Sequence, residues 1–196
     1  KRRRAPLQDK WPAGVGRIVL PRIDSTLSEA ARRFPDLPGP AWILAHQQTA
    51  ARGRRGRPWA NPPGNFAATH VMQLDRPAGD AALRSFVMAL ALHDTLAAVT
   101  GREDLLALKW PNDVLLAGGK VAGILLESIT LQGRVAGLAI GVGVNLFTAP
   151  DPTTLEPGAV PPVSLRGQTG VGLDDVDFLT HLACAYIARD AEFATY

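Results

Sequence analysis

Residues 105–146 constrain the fold most strongly, because they contain four apolar stretches separated by short turns. "LLALKW" and "DVLLA" come first, the pair Gly118 and Gly119 leads into "KVAGILLESI", and the pair Gln132 and Gly133 leads into "RVAGLAIGVGVNL". Two-residue turns that contain glycine join antiparallel strands. This part of the chain is therefore predicted to form an antiparallel meander.

The remaining predicted elements are three strands and three helices. "GRIVLPRI", "AWILAH" and "NFAATHVMQL" are rich in apolar and β-branched residues, which predicts strands. "DSTLSEAARRF" places Thr26 three residues before Glu29, a capping-box pattern that predicts a short helix. "DAALRSFVMALALHDTLAAVTG", capped by Gly101, and "DDVDFLTHLACAYIARDAEF" show helical spacing of apolar residues. Residues 147–165 are proline-rich and are expected to be irregular.

The resulting element order is β-α-β-β-α-β-β-β-β-α, which lacks the regular strand–helix alternation of a doubly wound fold. We therefore predict an α+β protein in which helices flank a mixed, mainly antiparallel sheet. A chain of 196 residues fits one domain with a sizeable core. Residues 1–10 are basic and have no apolar h-region after them, so they are expected to be a mobile tail rather than a secretory signal.

The composition of the chain limits both the cellular location that is expected and the kinds of catalytic site that the protein can contain. No stretch has the uninterrupted apolar length that a transmembrane helix needs, so no membrane association is expected. Cys184 is the one cysteine, which excludes an internal disulfide and favours a reducing cytoplasm. The four histidines are scattered and no Gly-x-Ser-x-Gly elbow occurs, which argues against a zinc site and a covalent serine enzyme. "AGGKVAG" and "IGVGVN" also fall short of a P-loop and a dinucleotide fingerprint.

The loop at residues 47–64 concentrates positive charge. Its segment "ARGRRGRPWANPPGN" contains four arginines and one aromatic ring, Trp59, in a chain whose net charge is +3. Guanidinium groups suit phosphate and carboxylate, and a loop of this length can close over a small anion. A nucleic-acid backbone and a plain solvated loop are the alternatives, and the loop alone leaves all three open.

A second polar group lies in "LKWPNDVLLAGGKVAGILLES". Lys109, Asn112 and Asp113 cluster at a proline turn, and Lys120 opens the next predicted strand. Taken singly, these are ordinary turn residues and a solvated lysine. Their occurrence together with "DST", Gln48 and the arginine loop favours a binding site.

Five segments in this order, "DST", "QTAARGRRGRPW", "LKWPNDVLL", "GGKVAGILLE" and "IGVGVNL", closely resemble the catalytic domain of bacterial biotin protein ligases. The resemblance runs from about Arg17 to the C-terminal helix and implies the fold of the biotin and lipoate ligases. It implies that biotin and ATP form biotinyl-5′-adenylate and pyrophosphate, and that biotin then passes to a lysine of a biotin carboxyl carrier protein, of acetyl-CoA carboxylase or a related carboxylase. Mg²⁺ is the implied activator, with no prosthetic group.

The resemblance also implies roles for the residues at matching positions. The implied catalytic residues are Arg52, Arg54 and Lys120. The implied biotin-binding residues are Ser25, Thr26, Gln48, Arg52, Lys120 and Gly123. The implied nucleotide-binding residues are Arg54, Arg57, Trp59, Asn112, Asp113 and Asn145. Asp113 is in addition the candidate Mg²⁺ ligand, helix capping is the alternative role for Thr26, and core packing is the alternative for Trp59.

The glycines at positions 141 and 143 are expected to let the backbone approach a ligand. Ala51 replaces the usual first glycine of the family's arginine loop, and Leu27 follows "DST" where a polar residue is common. Altered loop closure is therefore expected at Ala51.

The family's usual extent gives further expectations. Residues 11–196 are expected to be one catalytic domain, without the family's small C-terminal β-rich domain. No DNA partner is expected, and a homodimer is possible. The alternative functions are a lipoate–protein ligase, a basic nucleic-acid-binding module, and a fragment that binds biotin without catalysis.

Overall fold

The computed structural model describes residues 10–74, 78–151 and 158–195, so nine of the ten residues of the predicted tail, 1–10, lie outside the described residues. Within these ranges the strands are β1 (Gly16–Leu20), β2 (Ala41–Ala45), β3 (Phe66–Gln73), β4 (Leu106–Lys109), β5 (Asp113–Leu116), β6 (Gly119–Leu131) and β7 (Arg134–Val144). The helices are α1 (Thr26–Arg33), α2 (Ala78–Thr100), α3 (Leu165–Thr169) and α4 (Asp175–Phe193).

The seven strands form one sheet in the order β1-β2-β3-β7-β6-β5-β4. Only β1 and β2 are parallel, because α1 connects them as a crossover; the other five pairs are antiparallel. The predicted α+β fold with a mixed, mainly antiparallel sheet is thus confirmed.

The turns of the meander differ in detail from the prediction. Gln132 and Gly133 have φ of 51° and 77°, as a two-residue hairpin turn of this type requires. The preceding turn is formed by Ala117 and Gly118, with φ of 50° and 80°, so its predicted position at Gly118 and Gly119 was wrong by one residue. Gly119 belongs to β6 instead, where a side chain would collide with Val163.

The start of α1 also departs from the prediction. Ser25, not Thr26, is the N-cap, and its hydroxyl makes no capping hydrogen bond. The Thr26 hydroxyl instead donates to Gln48 Oε1 at 3.1 Å and accepts from Thr69 Oγ1 at 2.9 Å. The capping-box prediction was therefore wrong, because tertiary contacts engage the hydroxyl that a cap would have used.

The two faces of the sheet carry different layers. Adjacent residues of a strand point to opposite faces: Trp42 packs into the larger apolar cluster with α2 and α4, and Ile43 packs into the smaller one with α1. Leu27 of α1 packs directly on β7, where a Cβ at Gly141 would lie 2.9 Å from its Cδ1. Glycine at this position therefore lets α1 lie close to the sheet.

Helix α2 serves as the core helix of the larger layer. By length and composition alone, residues 81–100 would suffice to cross a membrane, contrary to the expectation that no segment has this character. Met88, Leu92 and Leu96 are fully buried in the apolar cluster. Arg189 of α4 donates to Asp94 at 2.6 Å. Packing against the sheet and α4 accounts for the apolar composition of α2.

The segment after β7 contains a helix that the sequence analysis missed. Ser164 caps α3 by accepting a hydrogen bond from the Gly167 N–H at 3.1 Å, and Gly170 ends it in the left-handed conformation. Residues 158–163 run beside the start of β6, where Lys120 N–H donates to Pro161 O at 2.8 Å. The proline-rich segment therefore includes an ordered wall beside the sheet.

A buried aromatic cluster joins the sheet to α4. His70 lies between Trp42 and Tyr186, with ring centroids 4.9 Å and 4.7 Å from its own. Burial, with a smaller contribution from the positive charge of Arg84, lowers the pKa of His70 from 6.5 to about 3. The imidazole is therefore neutral in the folded protein at physiological pH.

Acid is expected to destabilise the protein through His70. The unfolded chain takes up a proton on this residue below pH 6.5, whereas the folded protein does so only near pH 3, so stability falls as the pH falls between these values. The free energy of unfolding should decrease by about 2 kcal/mol between pH 7 and pH 5 from this group. Urea unfolding of the wild type and of His70→Phe at both pH values measures this decrease. An equal decrease in the variant would contradict the attribution to His70.

Candidate active site

A cavity of about 830 Å³ opens on the α1 side of the sheet. The arginine loop, the start of α1, strands β5 to β7 and residues 158–162 surround it. Every residue that the sequence analysis assigned to binding or catalysis lines this cavity: Ser25, Thr26, Gln48, Arg52, Arg54, Arg57, Trp59, Asn112, Asp113, Lys120, Gly123 and Asn145. The fold thus brings together residues that lie far apart in the chain.

A hydroxyl and amide network forms one end of the cavity. Gln48 Oε1 accepts hydrogen bonds from the backbone N–H of Thr26 at 2.8 Å and from its hydroxyl at 3.1 Å. Thr69, which is buried on β3, donates to the same hydroxyl. Because the Gln48 oxygen is occupied in this way, the –NH₂ of its amide is the group suited to donate to a ligand.

Backbone hydrogen bonds within the arginine loop join its two sides. Trp59 N–H donates to Ala51 O at 2.9 Å, and Gly53 N–H donates to Arg57 O at 2.7 Å. The left-handed residues at its tip are Arg55 and Gly56, with φ of 58° and 72°, while Ala51 is not among the residues of positive φ. Alanine at position 51 therefore causes no backbone strain, and the expected effect on loop closure stays a prediction.

Arg52 connects the loop to two other elements. Its Nε and Nη2 donate to the Glu127 carboxylate at 3.1 Å and 2.7 Å, and its Nη1 donates to Ser28 Oγ at 2.8 Å. The hydrogen bonds to Glu127 raise the pKa of Arg52. Neither Glu127 nor Ser28 was predicted from the sequence to belong to this site. The sequence gives one weak indication of a role for Glu127, since it is the one acidic residue of the otherwise mostly apolar strand β6.

Trp59 anchors the other side of the loop to the sheet. Its ring lies against two glycines that pair across β6 and β7, so a Cβ at Gly123 or Gly143 would lie 3.0 Å or 2.6 Å from it. The Lys120 ammonium lies 5.4 Å from the ring centroid. The indole and the two glycines therefore form one wall of the cavity.

Two lysines lie near Asp113, which has the one carboxylate of the cavity lining. Lys120 Nζ lies 2.8 Å from Asp113 Oδ1, and Lys109 Nζ lies 3.9 Å from Oδ2. Asn112, the neighbouring residue, donates to Ile124 O at 2.8 Å and accepts from Arg54 Nη1 at 3.3 Å. These contacts fix the turn between β4 and β5 at the edge of the cavity.

Asn145 is buried directly after the end of β7. Its Nδ2 donates to Val163 O at 3.1 Å, and its Oδ1 is a buried acceptor without a hydrogen-bond partner among the described residues. Such an atom is costly to bury unless a ligand or water satisfies it. Because Asn145 lines the cavity, a ligand N–H group is a suitable partner.

The charge balance of the cavity favours an anionic ligand. Asp113 is the one acidic residue of its lining, and the basic residues are Arg52, Arg54, Arg55, Arg57, Lys109 and Lys120. A cleft lined by one sign of charge concentrates ligands of the opposite sign. Within residues 10–74, 78–151 and 158–195, no group of three His, Cys, Asp or Glu side chains is placed to hold a metal ion.

Comparison with known proteins identifies related chains. The model of the biotin/lipoate A/B protein ligase family matches residues 19–145. The chain is 53% identical over 178 residues to the biotin–[acetyl-CoA-carboxylase] ligase of Paracoccus denitrificans, covering 91% of this chain and 74% of that protein. It is 36% identical over 129 residues to the bifunctional ligase/repressor BirA of Escherichia coli, covering 65% of this chain and 40% of that protein.

Solved structures share the fold. The biotin protein ligase of Leishmania major in complex with biotinyl-5-AMP superimposes with a TM-score of 0.76 at 23% identity, covering 92% of this chain and 76% of that one. The biotin protein ligase of Aquifex aeolicus in complex with biotin and ATP superimposes with a TM-score of 0.72 at 23% identity, covering 91% of this chain and 71% of that one. The similarity therefore extends over almost the whole described chain.

Substitution of Gly143 is expected to release the arginine loop. In Gly143→Ala, the added methyl group would overlap the Trp59 ring, so the indole must leave the sheet. Trypsin should then cleave at the loop arginines faster, roughly tenfold if local opening becomes easier by about 1.4 kcal/mol. Mass spectrometry of the fragments measures the rate. Gly39→Ala, where an added Cβ meets nothing within 4 Å, is the control, and equal rates in both variants would refute the anchoring role.

Proposed function

The chain belongs to the biotin/lipoate A/B protein ligase family, and from that premise we propose that it is an ATP-dependent biotin–protein ligase. The biotin carboxylate attacks the α-phosphorus of ATP, which forms biotinyl-5′-adenylate and releases pyrophosphate. A lysine amine of the acceptor protein then attacks the biotinyl carbonyl, which forms an amide and releases AMP. The observation that carries the proposal is the cationic cavity, in which every residue expected for this chemistry is assembled.

The first step requires two anions to meet. A carboxylate and a triphosphate repel each other strongly once water is excluded. Arg52, Arg54 and Lys120 are the proposed catalytic residues because their charges offset this repulsion and stabilise the charge that develops on the phosphate oxygens. The substrate supplies the nucleophile, so positioning and electrostatics carry the reaction.

The acid substrate is proposed to lie along β6 and α1. Its ureido head has a carbonyl and two N–H groups, which suit the hydroxyls of Ser25 and Thr26 and the amide of Gln48. Gly123 lines the cavity, and its lack of a side chain lets the Trp59 ring lie against the sheet beside the proposed position of the ligand body. The carboxylate end would then reach Arg52 and Lys120.

The nucleotide is proposed to occupy the part of the cavity between Trp59 and residues 158–162. The buried Asn145 oxygen is suited to accept the 6-amino group of adenine. Arg54, Arg57 and Asn112 are the proposed contacts to the phosphates and ribose.

Mg²⁺ is proposed to enter bound to the ATP phosphates. Asp113 offers the one carboxylate of the cavity, and it is already paired with Lys120. The described residues therefore do not form a metal centre by themselves, and Asp113 is the residue proposed to contribute a carboxylate ligand. The carrier protein of acetyl-CoA carboxylase is the proposed acceptor, by analogy with the Paracoccus relative. A cytoplasmic location, a possible homodimer and the absence of a DNA partner remain predictions.

The test of this proposal is pyrophosphate release from Mg·ATP in the presence of biotin, lipoate or no acid. Biotin-dependent release, with biotinyl-adenylate retained on the protein, is expected. Release with lipoate alone would instead indicate a lipoate–protein ligase. No release with either acid would contradict both activities.

Loss of a cavity cation is expected to slow adenylate formation. Lys120→Ala should lower the rate of pyrophosphate release by about 100-fold or more, and Arg54→Ala by roughly tenfold, because each removes charge from the reacting groups. Arg134→Ala, at the exposed start of β7 and outside the cavity lining, is the control and should keep the wild-type rate. Unchanged release by Lys120→Ala with a native circular dichroism spectrum would refute its role.

Asn145 is expected to select the base. ATP can donate its 6-amino group to the Asn145 oxygen, whereas inosine triphosphate has a carbonyl there. The wild type should prefer ATP about tenfold in kcat/KM, and Asn145→Ala should lose most of this preference. A structural defect alone would lower turnover of both nucleotides equally, so an unchanged preference in the variant would exclude this contact.

A further inference from the structure

Side chains of the protein itself hold the Arg52 guanidinium through three of its nitrogens. Two of its nitrogens, Nε and Nη2, face the Glu127 carboxylate, while Nη1 donates to Ser28 at 2.8 Å and more weakly to Ser25 at 3.4 Å. Ser25 lines the cavity, whereas Glu127 and Ser28 lie outside its lining. The contacts thus place Glu127 on the side of Arg52 that is remote from the cavity.

A guanidinium can bind a carboxylate along either of two edges, Nε with Nη2 or Nη1 with Nη2. Glu127 occupies the first edge. The second edge includes Nη1, which reaches the cavity residue Ser25, so this edge faces the cavity. The Ser25 contact is long, at 3.4 Å, and is the one that a ligand carboxylate would replace.

We propose that Glu127 is a positioning residue, whose carboxylate orients Arg52 so that the Nη1–Nη2 edge is presented to the carboxylate of the acid substrate. The inference rests on the proposed function, because it requires an acid substrate in this cavity. Ser28 assists by restraining Nη1.

Orientation, rather than stability, is the contribution expected of this pair. Arg52 and Glu127 side chains are 32% and 37% exposed, and ion pairs at this exposure add little to folding stability. Fixing a long side chain in advance, however, removes an ordering cost that substrate binding would otherwise carry. A carboxylate is needed here because a glutamine would turn an –NH₂ group toward the arginine N–H groups.

The experiment compares Glu127→Gln with the wild type in equilibrium biotin binding and in steady-state kinetics. The Kd and KM for biotin should rise about tenfold, while the KM for ATP and the melting temperature change little. Asp104→Asn is the matched control: Asp104 accepts from Arg102 Nε and Nη2 at 3.0 Å and 2.9 Å, in the same side-on geometry but outside the cavity lining. This variant should bind biotin as the wild type does.

A double-mutant cycle with Arg52→Ala separates positioning from a general structural effect. If Glu127 acts through Arg52, Glu127→Gln should have no further effect on biotin binding in the Arg52→Ala background. Wild-type biotin affinity in Glu127→Gln, or an equal loss in both backgrounds, would overturn the positioning role and leave the proposed function intact. Absence of biotin-dependent pyrophosphate release by the wild type would overturn both.

Discussion

The close approach of Trp59 and Leu27 to the glycines of β7 is the contact on which the rest of the site depends. An added methyl group would lie 2.6 Å from Trp59 at Gly143 and 2.9 Å from Leu27 at Gly141. Because the strand carries no side chains at these points, α1 and the arginine loop can lie on the same face of the sheet and enclose a cavity. Packing therefore determines the shape of the site, and charge determines what it can hold.

The positive charges of the cavity are held by partners on the surrounding elements. Lys120 pairs with Asp113 of β5, Arg54 with Asn112, and Arg52 with Glu127 of β6. Each contact spans the boundary between a loop or strand and its neighbour. The protein's own side chains therefore hold these cations in place around the cavity, which is the condition under which electrostatic stabilisation is most effective.

The opposite face of the sheet provides rigidity. Trp42 and Phe66 of the sheet and Phe178 of α4 are fully buried there, and the neutral His70 lies among aromatic rings. The sheet thus separates an apolar, close-packed layer from a polar, ligand-accessible one. Strands that are anchored on one side can present fixed backbone and side chains to a ligand on the other.

The sequence by itself determined the antiparallel meander and the twelve cavity residues assigned to binding or catalysis, because glycine turns, apolar periodicity and the family motifs are local features. The tertiary structure alone decided how individual side chains are used. Thr26 bonds Gln48 and Thr69 instead of capping α1, and Arg52 meets Glu127 across 75 positions of sequence. Such pairings depend on how α1 and the arginine loop pack on the strands. No local sequence pattern specifies which distant residues this packing brings into contact.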